Sequence, residues 1–289
     1  MGARLFGLPA DSIYRAKDAL KRLRIFGALQ PAFQRAKRLE AWLRAKGYVI
    51  RPLVPEADLA ECQANAVAHL LRRDPAHEWG DYVEFGVFQG HSLGIAYRTL
   101  TRLGLLERVR LFGFDSFEGY PAEAADEPNG YRPGDDRAEI HVAQRRLSRQ
   151  GIDWGRVQLV KGWFRDSLTP AFRQAARTER VSIVNFDCDL YSSTAEALEF
   201  VAPLVGRSAI FLFDDWGPEG LAADMVDQKR AFVEYLEAEP DIYAEQLPGY
   251  SAESLVFCIT RGPPGLSWPQ RITPLLWRAE GIWRAEGSA

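Results

Sequence analysis

Four aspartates stand at the ends of two apolar runs. Val184-Asn185-Phe186-Asp187-Cys188-Asp189 closes the first, and Phe211-Leu212-Phe213-Asp214-Asp215-Trp216 closes the second. If the runs are neighbouring strands, about 4.8 Å apart, Asp187, Asp214 and Asp215 converge at one edge of a sheet. Carboxylates brought together repel one another and lose hydration, a conflict that a divalent cation resolves. An all-oxygen set suits a hard cation, Mg²⁺ first, with Mn²⁺ or Ca²⁺ as alternatives. A cation there would lower the pKa of a nearby acceptor hydroxyl and help to aim it. Asp189, two residues beyond Asp187, reads as a general base, a further metal ligand or a cap for the helix starting near Ser192; the base is the favoured reading. His91 and His141 are rival bases that no motif places at an acceptor.

A second group of residues has the pattern of a nucleoside-bearing ligand site. In Val83-Glu84-Phe85-Gly86-Val87-Phe88-Gln89-Gly90-His91-Ser92 a strand runs through a turn into a helix. Gly86 permits the turn and admits a ligand against bare backbone. The helix start at His91-Ser92 offers free N–H groups to a carboxylate. A dinucleotide loop would read GxGxxG, whereas here Phe88 replaces the middle glycine, which argues against a diphosphate and for a smaller donor with an amino-acid end. Glu84 is expected to face the amino group of that donor, directly or through water. Asp115, closing the next apolar run, can accept both ribose hydroxyls, or else cap a turn. In Val160-Lys161-Gly162-Trp163-Phe164-Arg165-Asp166, Gly162 gives access, Trp163 offers a flat apolar surface for adenine, and Asp166 could meet its amine.

The elements that must carry these residues follow from the alternation of short apolar runs with helical periods. Strands are expected near Tyr82–Val87, Val109–Asp115, Val157–Lys161, Val181–Asp187 and Ile210–Asp214, and helices over His91–Leu103, Arg137–Gln150, Leu168–Ala176, Thr194–Val205 and Ala222–Glu237. Continuous apolar strands between helices imply a parallel sheet covered on both faces. Ile242–Gln246 and Ser254–Thr260 follow without an intervening helix, so an antiparallel pair ends the sheet. That is the α/β layout of a class I methyltransferase, a Rossmann-like sheet of parallel strands plus a C-terminal antiparallel strand, flanked by helices. The expected organisation is a helical N-terminal extension over residues 1–78, the catalytic domain over 79–262 and a tail over 263–289. Residues 120–136, rich in Pro, Gly and acids, read either as a lid over the site or as a surface insertion. The acceptor pocket is expected between the N-terminal helices, this loop and residues 217–222.

Composition narrows the partners. The chain has 289 residues, 47% of them hydrophobic, and a net charge of −3, which gives no electrostatic reason to expect nucleic acid. No run is apolar enough to span a bilayer and the start lacks a secretory pattern, so a cytoplasmic location is the default expectation. The three cysteines, Cys62, Cys188 and Cys258, are too dispersed for a disulfide framework or a thiolate metal site. Amphipathic basic segments before Pro55 and the Trp-bearing tail suggest a homodimer contact, or helices whose charged faces are simply solvated.

Taken in order, VEFGVFQGHS, FDSFEG, KGWFRDSL, FDCDLYSST and IFLFDDW resemble the macrocin O-methyltransferase family over about Tyr82 to Trp216. The resemblance implies S-adenosylmethionine as donor and a hydroxyl of a small molecule, such as a sugar of a glycosylated natural product, as acceptor. It also implies Mg²⁺ on Asp187, Asp214 and Asp215, Asp189 as base, and Glu84, Gly86, Ser92 and Asp115 at the donor. Gly162 and Trp163 stand nearby, and Asp187 is counted on the donor side as well. A lysine base of the catechol-methylating type is absent, since Leu190-Tyr191 occupies that stretch. Two other readings compete. In a haloacid-dehalogenase-type phosphohydrolase the DxD loop opens the domain, whereas here it closes the fourth strand. A non-catalytic binding module would not need to keep all four aspartates.

Overall fold

The computed structural model describes residues 56–126, 131–216, 227–251, 254–273, 275–276 and 284–285. The basic segments before Pro55, residues 217–222, the centre of the 120–136 loop and much of the 263–289 tail, all invoked above, lie outside them. Among the described residues no helix is long and apolar enough to cross a membrane.

The chain begins with α1 (Glu56–Arg73), then β1 (Asp81–Phe85), α2 (His91–Arg102), β2 (Leu111–Asp115), α3 (Ile140–Arg149) and β3 (Val157–Lys161). Two short helices, α4 (Phe164–Ser167) and α5 (Pro170–Ala176), lead to β4 (Val181–Phe186), α6 (Tyr191–Val201), β5 (Val205–Phe213) and α7 (Asp227–Ala238). The sheet is completed by β6 (Ile242–Leu247), β7 (Leu255–Arg261) and the two-residue β8 (Ile272–Thr273). Among the described residues the main sheet has the order β3-β2-β1-β4-β5-β7-β6-β8. Strands β1 to β5 pair in parallel, and β7 pairs antiparallel with both β5 and β6. This is the class I methyltransferase arrangement expected from the sequence.

Strand β5 begins at Val205, earlier than its apolar run suggests. Gly206 and the exposed Arg207 interrupt the hydrophobic pattern although the backbone is already extended. A Cβ on Gly206 would come within 2.9 Å of the Arg180 Nε, part of a flexible side chain that can move aside.

Alternation along the strands divides the core between the two faces. On one face Tyr82, Leu111, Ile183, Ile210, Leu212 and Val256 pack under α1, α2 and α3. Helix α1 contributes Leu59, Cys62, Ala66, Val67 and Leu70 at helical spacing, and its ends suit the helix dipole, with Glu56 and Asp58 in the first turn and Arg72 and Arg73 in the last. On the other face a row of phenylalanines crosses the sheet at the strand ends, the last residue of β1, β4 and β5 and the last but one of β2. Phe114, Phe85, Phe186 and Phe213 are in register on β2, β1, β4 and β5. Neighbouring ring centroids lie 5.6, 5.6 and 4.6 Å apart, and Phe257 of β7 extends the row at 6.1 Å. Each ring is fully buried and contributes roughly 2 kcal/mol of transfer free energy. The residues that follow them are Asp115, Gly86, Asp187 and Asp214. The row therefore fixes the level at which the candidate site residues emerge.

Two polar networks secure the rest. Buried Arg271 donates to the carbonyls of Leu236, Glu239 and Ile242, closing the C-terminal end of α7 with a positive charge. At the opposite edge of the sheet from the aspartates, His77 sits between the hydroxyls of Ser182 (2.8 Å) and Ser208 (3.0 Å), and Ser208 donates to Asp74 (2.7 Å). Burial lowers the His77 pKa below its usual 6.5, outweighing the opposing pull of Asp74 and Glu78, while Arg180 adds to the lowering. Neutral His77 is therefore favoured in the fold. Its contribution is complete above pH 6.5 and is lost as pH falls below it. With Mg²⁺ present, the melting temperature is expected to fall between pH 7.5 and 5.5, and His77→Gln to flatten that slope. An equal slope in the variant would remove His77 from the account.

Candidate active site

The β-strand order reverses between β1 and β4, and in open α/β sheets the crevice beyond the strand ends at this point takes the ligand. The backbone ladder continues past the strands there. Gly86 N–H donates to Phe114 O (2.9 Å), Asp187 N–H to Phe85 O (2.9 Å), Asp214 N–H to Phe186 O (3.0 Å) and Gly162 N–H to Asp115 O (3.0 Å). Each site residue is thus hung from the neighbouring strand.

The carboxylates of Asp187, Asp214 and Asp215 come together, offering oxygens that all lie within 4.8 Å of one another. Oxygens around an octahedral Mg²⁺ are about 3 to 4 Å apart, so a small contraction brings this set to a hard cation. Without positive charge the arrangement is costly. Desolvation, and then the neighbouring aspartates, hold the pKa values of Asp187 and Asp215 well above the usual carboxylate range. The donor set is all oxygen and electrostatically unbalanced, which fits a divalent cation. Its orientation is set by groups that sequence reasoning missed. Tyr250 OH donates to Asp214 Oδ1 (2.6 Å). Gln228 accepts from Asp215 N–H (3.2 Å) and donates to Phe186 O (3.2 Å). Tyr250 lies in the β6–β7 connection, where a tyrosine after Pro248-Gly249 looks like an ordinary turn residue.

Asp189 adopts a left-handed backbone (φ 57°), and its N–H donates to Asp215 Oδ2 (3.1 Å). This conformation turns the chain between β4 and α6 and keeps Asp189 beside the acidic group. Its carboxylate accepts from two tyrosines, Tyr120 OH at Oδ2 (2.6 Å) and Tyr131 OH at Oδ1 (2.9 Å). Neither tyrosine was singled out from the sequence, because isolated aromatic residues in a polar loop carry no spacing signal. The rival base His141 is half exposed and pairs with Glu139 (3.0 Å).

On the donor side the geometry sharpens the expectations. Gly86 has φ 91°, and a Cβ there would lie 1.7 Å from the Asp187 carbonyl oxygen. Its bareness is demanded first by the close approach of the β1 and β4 ends. Glu84 is not exposed for direct contact. It is fully enclosed, accepting from Tyr82 OH (2.6 Å), Ser92 Oγ (2.9 Å) and Asn185 Nδ2 (3.4 Å), and it is not open to the cleft. The alternation of β1 aims it beneath the start of α2, where burial pushes its pKa up to about 7 against those hydrogen bonds. Asp115 holds the loop between β1 and α2. Oδ2 accepts from the Val87 N–H (2.9 Å) and Phe88 N–H (2.7 Å), and Oδ1 from the Phe117 N–H (2.6 Å). Both lone pairs of Oδ2 and one of Oδ1 are thereby used, so the expected acceptance of two ribose hydroxyls has one lone pair left to it. Phe88 has φ 49°, so the loop takes a left-handed turn at the residue that replaces glycine. Trp163 precedes α4, is partly exposed, and accepts the Ser167 hydroxyl at its carbonyl (2.9 Å). Asp166 is exposed.

Known proteins resemble the chain in sequence and in fold. The model of the family described as Macrocin-O-methyltransferase (TylF) matches residues 56–239. Relatives include the 8-demethyl-8-(2,3-dimethoxy-alpha-L-rhamnosyl)-tetracenomycin-C 4'-O-methyltransferase of Streptomyces olivaceus, 31% identical over 148 residues, covering 47% of this chain and 53% of that protein. The mycinamicin III 3''-O-methyltransferase of Micromonospora griseorubida is 26% identical over 150 residues, covering 47% and 55%. The chain thus spans about half the length of the curated relatives it matches. Among solved structures, the O-methyltransferase NovP superposes with a TM-score of 0.54 at 21% identity, covering 72% of this chain and 79% of that one, a likeness of fold. The family match runs from the first turn of α1 to the end of α7 and so includes every strand end that carries a candidate site residue; the chain belongs to the macrocin O-methyltransferase family.

Proposed function

We propose that the protein transfers the methyl group of S-adenosylmethionine to a hydroxyl oxygen of a small molecule, and that a sugar hydroxyl of a glycosylated natural product is the acceptor. The observation that carries this reading is the meeting of Asp187, Asp214 and Asp215 beside Asp189 at the β1–β4 crevice. Named activities of the relatives on rhamnosylated tetracenomycin and on mycinamicin III support the acceptor class.

In the proposed reaction an acceptor O–H bond breaks and its proton passes to the Asp189 carboxylate. An oxygen lone pair forms the new O–C bond in line with the departing sulfur, and the C–S electron pair returns to sulfur, converting sulfonium to thioether. Asp187, Asp214 and Asp215 would hold Mg²⁺, which when bound supplies positive charge that balances the carboxylates and favours ionisation of a nearby hydroxyl. The N-terminal end of α2 suits the donor carboxylate, the free lone pair of Asp115 Oδ1 a ribose hydroxyl, and Trp163 the adenine face.

The test is direct. S-adenosylhomocysteine should raise the melting temperature, since saturation at about 100 times Kd adds about 2.7 kcal/mol to stability. With S-adenosylmethionine and Mg²⁺, a panel of rhamnosylated tetracenomycins and other glycosides should show one acceptor gaining a single methyl by mass, and EDTA should stop it. Stabilisation by NADH or phosphate esters with none from S-adenosylhomocysteine would overturn the reading.

A further inference from the structure

Both oxygens of Asp189 are engaged by phenolic hydroxyls, and the Tyr120 contact is the shorter of the two. Tyr120 is pinned through its backbone, its N–H donating to Asp135 O (3.1 Å) and its carbonyl accepting from Gly134 N–H (2.9 Å). The approach of these two segments is close enough that a Cβ on neighbouring Gly119 would lie 2.4 Å from Asp135 O. Tyr120 OH is also 3.2 Å from Asp136 Oδ2, but its one proton serves the shorter contact, to Asp189 at 2.6 Å. Tyr131 makes the longer bond, 2.9 Å to Oδ1, and its ring packs on that of Tyr120 with centroids 4.6 Å apart. A hydroxyl that is to give its proton to Asp189 must first donate a hydrogen bond to one of these oxygens.

We propose that Tyr120 and Tyr131 are positioning residues with unequal parts: Tyr120 holds Oδ2 and fixes the plane of the carboxylate, while Tyr131 occupies at Oδ1 the place that the acceptor hydroxyl takes on binding. The proposal rests on Asp189 being the group that receives the acceptor's proton. The exchange replaces one hydroxyl donor by another on the same carboxylate, so its net cost is small, and Asp189 is not left unpaired in the absence of acceptor. Acceptor binding then competes with Tyr131 and not with Tyr120.

Two measurements test this, one without catalysis. In the ligand-free protein, hydrogen exchange of a peptide covering residues 131–138 should be about fivefold faster in Tyr131→Phe and in Asp189→Asn, a residue that tolerates the left-handed backbone at position 189. The double variant should be no faster than Asp189→Asn alone, because that substitution already removes the Tyr131 tie together with the Tyr120 one. Unchanged or additive rates would overturn the proposal. In the second measurement, with the fastest glycoside from the panel above, Tyr131→Phe should lower the acceptor KM about threefold to tenfold with kcat within about twofold. Tyr120→Phe should lower kcat about tenfold with KM within about twofold. A raised KM in Tyr131→Phe, or the same change in both variants, would overturn the division of roles. If no glycoside is methylated, the functional reading fails, while the exchange experiment still decides whether the tyrosines hold Asp189.

Discussion

Gly86→Ala is expected to lower the melting temperature by about 10 °C and to abolish stabilisation by S-adenosylhomocysteine. Two costs combine. A non-glycine residue at φ 91° loses about 1–2 kcal/mol of backbone energy. The added methyl would also sit 1.7 Å from the Asp187 carbonyl oxygen, roughly half a van der Waals contact, so β1 and β4 must part where Asp187 N–H donates to Phe85 O. Overpacking of this kind costs about 1–3 kcal/mol more, and each kcal/mol shifts a domain of this size by about 2–4 °C. Gly104→Ala provides the control. Its φ is 69°, yet nothing lies within 4 Å of the added carbon, so it should show the backbone cost alone. If the two variants melt together and both bind S-adenosylhomocysteine, the contact with Asp187 does not organise the site.

Asp214→Asn should give opposite signs with and without a cation. In the cation-free protein the substitution removes one of three crowded negative charges while keeping an oxygen for the Tyr250 hydroxyl, so the variant should melt at or above the wild-type temperature. In Mg²⁺ the order should invert. The wild type gains stability by binding, the variant gains little, and turnover should fall about 100-fold or more, as expected where a cation contributes several kcal/mol to the transition state. The pH dependence follows from the same charges. Asp187 and Asp215 have folded pKa values raised above 3.8, so the stability they allow is complete below that value and is lost as pH rises through the raised values. With EDTA, the melting temperature of Asp214→Asn relative to the wild type should therefore rise from pH 5 to 8, a difference in which the His77 contribution cancels. A Mg²⁺-induced shift in Asp214→Asn equal to that of the wild type would remove Asp214 from the proposed ligand set.

The sheet and the acidic group were legible because both are written in strand periodicity. Apolar runs ending in Asp115, Asp187 and Asp214 announce parallel strands, and neighbouring strands bring the last residues together. What could not be read depended on contacts between segments remote in sequence. Glu84 belongs to a recognisable loop, yet only the packing of α2 over β1 shows that Ser92, Tyr82 and Asn185 enclose it. Asp115 has the residue type of a ribose ligand and spends most of its hydrogen-bonding capacity on the Val87, Phe88 and Phe117 amides. Tyr250, Gln228, Tyr120 and Tyr131 act by reaching across from connections or a helix start, where no period marks a functional side chain. The early start of β5 was hidden because Gly206 and the exposed Arg207 break the apolar run that marks a strand.

The phenylalanine row beneath the strand ends has a consequence for where a released proton can go. Phe114, Phe85, Phe186 and Phe213 form a continuous hydrocarbon floor under Asp115, Gly86, Asp187 and Asp214, and none of these rings can donate or accept a proton. Under the proposed function, a proton taken up by Asp189 would find no relay in these rings, while the hydroxyls and carboxylates at the mouth of the crevice, among them Tyr120 and Asp136, offer it a way outward. Resetting the base would then be tied to the opening of that side to water.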